Sequence, residues 1–231
     1  MKKILILVLV FVFSMSVAYC SSGDVDINEI YKLAAKLSGS SETPETKVVN
    51  FSDVPETHWA YKYISKLAGS GVINGYEDGT FKPSNNITRA EFYKLMTSTN
   101  PFFTFAINAE REKVQYSAWY EPYTFYAYKN GFMTDMFGYG DLTEKITRKE
   151  MVVSLGRFAS KSDKFQNLEL QQNNFPDITN VGISDEEMKY VDYSFTYGLV
   201  KGYEDNSFLP ENNLTRAEAA TIVYRFMYGG E

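Results

Sequence analysis

Three short stretches of this chain share one chemistry: Thr88-Arg89-Ala90-Glu91, Thr147-Arg148-Lys149-Glu150 and Thr215-Arg216-Ala217-Glu218. A Thr with a Glu three positions on, ahead of an apolar run at helical spacing, marks a helix start. The Thr hydroxyl accepts the N–H of the third helical residue, and the Glu carboxylate accepts the N–H of the Thr. That reciprocity accounts for Thr88 and Glu91, Thr147 and Glu150, and Thr215 and Glu218. It does not account for the Arg between them. A cation in the first turn sits at the positive end of the helix dipole, unfavourable by roughly 0.3–1 kcal/mol when nothing compensates. A guanidinium beside free helical N–H groups is, however, a ready partner for a carboxylate or phosphate. Arg89, Arg148 and Arg216 therefore mark three places where an anion is expected. The competing reading pairs each Arg internally with an acid such as Asp53 or Asp177.

The elements around each motif repeat as well. Upstream of Thr88, Ala60, Ile64, Leu67 and Ala68 form a helical stripe that ends at Gly71, placed for a left-handed helix C-cap. Val72 to Tyr76 follows, then Glu77-Asp78-Gly79-Thr80-Phe81-Lys82-Pro83, a tight turn with a Pro that bars a helix. Beyond Thr88, Phe92, Leu95 and Met96 face inward on a second helix. The unit is helix, turn-rich loop, helix. Gly71 to Thr88 spans 17 positions, Gly131 to Thr147 spans 16 and Gly198 to Thr215 spans 17, and Trp59 and Trp119 each precede their glycine by 12. Phe175-Pro176-Asp177-Ile178 restates Phe51-Ser52-Asp53-Val54, and Gly202-Tyr203 through Pro210 restates Gly75-Tyr76 through Pro83. Internal repetition at this period reads as an array of equivalent units. The middle copy is degenerate: Arg111-Glu112-Lys113 stands where Phe-x-Asp is expected, and Asp135-Met136 replaces Gly-Tyr. The third copy lacks the Trp, with Glu186 or a neighbour falling there.

Composition narrows the function classes. The formal charge is −6, and −8 without Lys2 and Lys3, with no long basic run, which argues against a nucleic-acid partner. Met1 to Cys20 reads as a secretory leader: two lysines, an apolar run over Ile4–Phe13, then small residues. Ser16-Val17-Ala18 fits a cleavage site before Tyr19, while Val17-Ala18-Tyr19-Cys20 also fits a lipoprotein junction with Cys20 lipidated. Residues 21–50 read as a tether with a short amphipathic helix around Ile27–Leu37. Cys20 is the only cysteine and His58 the only histidine, so a His/Cys metal site or a Cys/His nucleophile has no residues to form from. Glu77-Asp78-Gly79 lacks the alternating carboxylates of a calcium loop and reads as a turn.

The combination of Phe51-Ser52-Asp53-Val54-Pro55, His58-Trp59-Ala60, Gly75 through Pro83 and Ile87-Thr88-Arg89-Ala90-Glu91 resembles the bacterial S-layer homology (SLH) repeat. The resemblance covers about 51–228 and places repeats at 51–98, 111–160 and 175–229, after the leader (1–20) and the tether (21–50). It implies a mainly α fold, three tandem helix–loop–helix repeats in a pseudo-threefold bundle that is monomeric. It further implies a non-catalytic module, without cofactor or metal, that binds an anionic, pyruvylated secondary cell-wall polysaccharide through grooves between repeats. Carried over by position, the sugar contacts are Arg89, Arg148 and Arg216, with Asp53, Asp177, Trp59, Trp119, Gly75, Tyr76, Gly202 and Tyr203 in support. Localisation is then secreted and bound to the wall. Trp59 and Trp119 have core packing as their alternative role, while Tyr120, Tyr123, Tyr126 and Tyr128 are read as core or inter-repeat packing. With only about thirty residues outside the repeats, a second function is a lipoprotein adaptor held to the membrane through Cys20, or a structural protein that binds a partner protein.

Overall fold

A computed structural model describes residues 49–111, 114–134, 140–159, 169–178 and 182–229. The leader, Cys20, the tether helix and Asp135-Met136 lie outside the described residues. The described chain is mainly helical: α1 (Tyr61–Gly69), α2 (Arg89–Ser98), α3 (Pro101–Arg111), α4 (Glu121–Lys129), α5 (Arg148–Ala159), α6 (Asp185–Thr196) and α7 (Arg216–Tyr228).

The three helices that begin at the arginines start in the same way. Thr88 Oγ1 accepts the Glu91 N–H at 3.1 Å, and Glu91 accepts the Thr88 N–H at 2.8 Å. The matching pairs are 3.2 and 3.0 Å at Thr147 and Glu150, and 3.3 and 2.9 Å at Thr215 and Glu218. Just upstream, the apolar residue of each motif closes a ring of backbone hydrogen bonds. Ile87 N–H donates to Leu214 O (3.0 Å), Leu214 N–H to Ile146 O (3.0 Å), and Ile146 N–H to Ile87 O (3.2 Å). Antiparallel bridges flank the ring at Asn86–Thr215, Thr88–Lys145 and Thr147–Asn213. All three ring residues are buried. The ring satisfies backbone groups that burial would otherwise leave unpaired, and it draws the three helix starts together about one axis.

Packing follows the same cyclic order. α2 packs on α4, α5 on α6 and α7 on α1, so each motif helix lies against the first helix of the next unit round the ring. The core runs through these seams, with Phe92, Met96, Met151, Leu155, Ala219 and Val223 fully or almost fully buried. Tyr93, rather than Leu95, completes the inward face of α2, and Leu95 is half-buried at its edge. Truncating a residue such as Phe92 to Ala would cost about 3–5 kcal/mol in lost transfer energy and cavity. α3 fills the stretch between the first two expected repeats and docks on α4, where Phe103 meets Tyr126 at 6.1 Å between ring centres.

Gly71, Gly131 and Gly198 all take positive φ just beyond α1, α4 and α6. The loops that follow are clamped by aspartates. Asp53 accepts the N–H groups of Phe81 and Lys82, each at 2.7 Å, and Asp177 accepts those of Phe208 and Leu209 at 2.9 and 2.7 Å. Lys82 (φ 57°) and Leu209 (φ 54°) sit in the left-handed region that side chains disfavour, so the clamps hold a strained turn in each loop.

Candidate anion-binding groove

Each arginine leaves its own helix start and reaches the loop of the next unit. Arg89 donates from Nη1 to Asp141 O at 3.1 Å, Arg148 from Nε to Phe208 O at 2.8 Å, and Arg216 from Nε to Phe81 O at 2.7 Å. The remaining donors are used differently. Arg89 forks onto the Glu150 carboxylate, with Nε at 3.1 Å and Nη2 at 2.8 Å. Arg148 pairs with Glu218 at 3.1 Å, lies over the rings of Tyr203 and Phe208, and is 6% exposed. Arg216 donates to Asn74 O at 3.2 Å and lies over Tyr76 and Phe81 at 4.9 and 4.5 Å, with no carboxylate at ion-pair distance among the described residues.

Glu150 and Glu218 thus serve twice, as helix cap and as counter-ion to the arginine of the preceding unit. Glu91 holds the equivalent position beside Arg216 but closes only its own cap. The internal partners of Arg89 and Arg148 are therefore capping glutamates, not Asp53 or Asp177, whose oxygens face loop N–H groups.

An open groove of about 300 Å³ surrounds Arg216, lined among others by Asn74, Tyr76, Phe81, Glu91, Lys94 and Trp119. All three units contribute: the Gly75-Tyr76 loop and α2 from the first, Trp119 from the second, Arg216 from the third. Lys94 brings a second cation, its ammonium 5.7 Å from the ring centres of both Trp119 and Tyr123. Desolvation among these rings lowers the pKa of Lys94 below 10.5, and Arg111 and Arg216 add to the shift against the opposing pull of Glu91. Two cations against one carboxylate leave the groove positive within an acidic chain. Its aromatic walls, Tyr76, Phe81 and Trp119, present flat apolar faces.

Trp119 is 49% exposed and Trp59 60% exposed, so neither is a core residue. Trp59 stacks on His58, whose Nδ1 accepts the Ala60 N–H at 3.1 Å. Among the middle-unit tyrosines, Tyr120, Tyr123 and Tyr126 are half-buried and Tyr128 is 40% exposed. The glycines of the Gly-Tyr pairs have a packing role: a Cβ on Gly75 would fall 2.2 Å from Phe51 Cε1, and one on Gly202 2.4 Å from Phe175 Cε1.

The family model of the S-layer homology domain matches residues 50–92 and 174–220. These segments carry both Phe-x-Asp clamps, both Gly-Tyr loops and the arginines Arg89 and Arg216. Over these two segments the chain matches the S-layer homology domain. Among its relatives, exoglucanase XynX of Acetivibrio thermocellus is 29% identical over 81% of this chain and 17% of its own length. The cellulosome-anchoring protein of the same organism is 28% identical over 75% of this chain and 40% of its own length. The outer membrane protein SlpA of Thermus thermophilus is 48% identical over a short segment, 21% of this chain and 6% of its own length. The chain thus matches less than half the length of each of these relatives.

In this chain, Arg216, Tyr76, Gly75 and Trp119 come together in one groove, and Arg148 and Tyr203 in another region where the charge is already balanced. Burial alone would push the Glu218 carboxyl up, but the Thr215 N–H and hydroxyl, the Tyr203 hydroxyl at 2.7 Å and Arg148 outweigh it and hold it below 4.5. Burial and that same hydrogen bond push the Tyr203 hydroxyl up to about 12. The groove residues that motif reading passes over are Lys94, Phe81 and Glu91 as a wall. Lys94 carries no motif signal beyond being a Lys flanked by the inward Tyr93 and half-buried Leu95. No described helix is long and apolar enough to cross a membrane.

Proposed function

We propose that this chain attaches to the bacterial wall by taking an acidic glycan unit into the Arg216 groove, as a non-catalytic cell-surface anchoring module. Arg216, the one motif arginine without a carboxylate partner among the described residues, carries the reading. Its guanidinium is held by two carbonyls, so its position is fixed while its charge is left for a ligand. A carboxylate entering the groove gains charge-assisted hydrogen bonds, each worth about 1.5–3 kcal/mol where solvent is displaced. Trp119 and Tyr76 flank the sugar ring. A pyruvyl ketal suits the site because it projects a single carboxylate from a rigid ring, which meets a fixed guanidinium at little ordering cost.

The similarity to a cellulosome-anchoring protein supports attachment at the cell surface. The activity named for exoglucanase XynX belongs to a protein of which this chain matches only 17%, and is not carried over. Co-sedimentation with purified wall, before and after mild-acid removal of ketal-linked pyruvate, tests the proposal. Binding should be lost with the pyruvate; equal binding to both preparations would remove the pyruvylated sugar from the reading.

A further inference from the structure

Trp119 belongs to two depressions at once. It lines the Arg216 groove and also a second open hollow of about 250 Å³, shared there with Arg111, Val114, Tyr116, Ser117 and Pro122. The exposed indole is therefore common to two hollows. Cations accompany it from end to end. Arg216 lies in the first hollow, and Lys94 lies over the rings of Trp119 and Tyr123. Arg111 lines the second hollow and donates from Nη1 to the Tyr123 hydroxyl at 3.2 Å.

The acids nearby are occupied by neutral donors. Glu121 accepts the N–H groups of Ser117 and Ala118 at 3.1 and 3.2 Å, Glu110 accepts the Tyr116 hydroxyl at 3.4 Å, and Glu91 closes its cap. Among the described residues none of these three carboxylates forms an ion pair with Arg216, Lys94 or Arg111. The position of Lys94 is held by Val153 in the second unit and by the buried Thr221 in the third, so the cationic run is particular to this groove.

We infer that the Arg216 groove and the Arg111 hollow form one trough that straddles Trp119 and takes two successive units of an anionic wall polysaccharide. The first unit docks its acid group at Arg216, and the next crosses the indole to reach Arg111, with Lys94 between them. The inference rests on the Arg216 reading and deepens it: the ligand is a run of polymer, not a lone terminal sugar. Linking two contacts makes the second intramolecular, so affinity rises with fragment length until the trough is full.

Wall polysaccharide cut into fragments of one, two and four repeating units, titrated calorimetrically against the full chain, tests this. The two-unit fragment should bind about tenfold tighter than the one-unit fragment, and the four-unit fragment little tighter again. Arg111→Gln should bring the two-unit to one-unit ratio close to one, Arg111→Lys should restore part of it, and Val114→Asp should lower it by placing an acid in the hollow. Equal affinity for one and two units, or a length gain that survives both Arg111→Gln and Val114→Asp, would overturn the trough. Binding that depends on Arg216 but not on length would sink the trough alone. Failure of every fragment to bind, or full binding by Arg216→Ala, would sink the groove reading with it.

Discussion

The surroundings of Arg216 and of Arg148 are built from the same parts: an arginine at a helix start, a Phe carbonyl that accepts its Nε, and a Gly-Tyr loop whose tyrosine it covers. They differ in one connection. Glu218 accepts both Arg148 and the Tyr203 hydroxyl, which closes the charge and buries the guanidinium. Glu91 accepts neither Arg216 nor Tyr76 in any described contact, and Lys94 and Trp119 stand beside it instead. One motif therefore yields a buried ion pair in one setting and, in the other, an arginine held by two carbonyls beside an open groove. The outcome depends on whether the capping glutamate of the next unit reaches back. An identical Thr-Arg-x-Glu sequence does not guarantee an identical role.

The comparison can be broken most sharply at Arg148. Its removal leaves the half-buried Glu218 without its cation, and breaking such a pair costs about 3–5 kcal/mol, so Arg148→Ala should lower the melting temperature by roughly 10 °C. Wall binding should fall no further than the lost stability explains. A large binding loss at a temperature where the variant is fully folded would show that the Arg148 region also receives ligand. Arg216→Ala should do the reverse: about a 100-fold loss of affinity, near 2.7 kcal/mol, with little change in melting temperature. Equilibrium binding and calorimetric unfolding, run on both variants, read the contrast directly.

Lys94→Thr installs the third unit's residue in the first unit. Affinity should drop about fivefold and lose part of its salt dependence, because one of two solvent-screened cations has gone. Unchanged salt dependence would mean that Lys94 does not face the ligand. The smallest effect is expected from pH. Glu218 is held below 4.5 in the folded chain, so its contribution is full above pH 4.5 and fades as the pH falls through the folded value. Tyr203 is raised from 10.0 to about 12, so its contribution is full below pH 10 and is lost as the pH climbs toward 12. Glu218→Gln should flatten the acid limb of the stability curve. Tyr203→Phe should flatten the alkaline limb.

Much of the architecture was legible in the residues. Capping boxes, C-cap glycines and apolar stripes are local patterns with local causes, and they place α1, α2, α4, α5 and α7 by arithmetic on the sequence. α3 was not legible, because no repeat predicts it and its apolar face is defined only by docking on α4. The aspartates of Phe-x-Asp show the same limit. Their recurrence marked them as significant, but spacing gives no sign that their carboxylates clamp backbone N–H groups some thirty residues away.

The sequence by itself determined the repeating unit, its helix starts and the three arginines, since capping and periodicity act within a few residues. Only the tertiary structure decided which arginine is spent. That choice turns on a glutamate some sixty to seventy residues along in the next unit for Arg89 and Arg148, and on the return from the third unit to the first for Arg216. Ring closure sets these distances, and charge pairing falls off over a few ångströms. A displacement that no local pattern records therefore separates a buried ion pair from an open site.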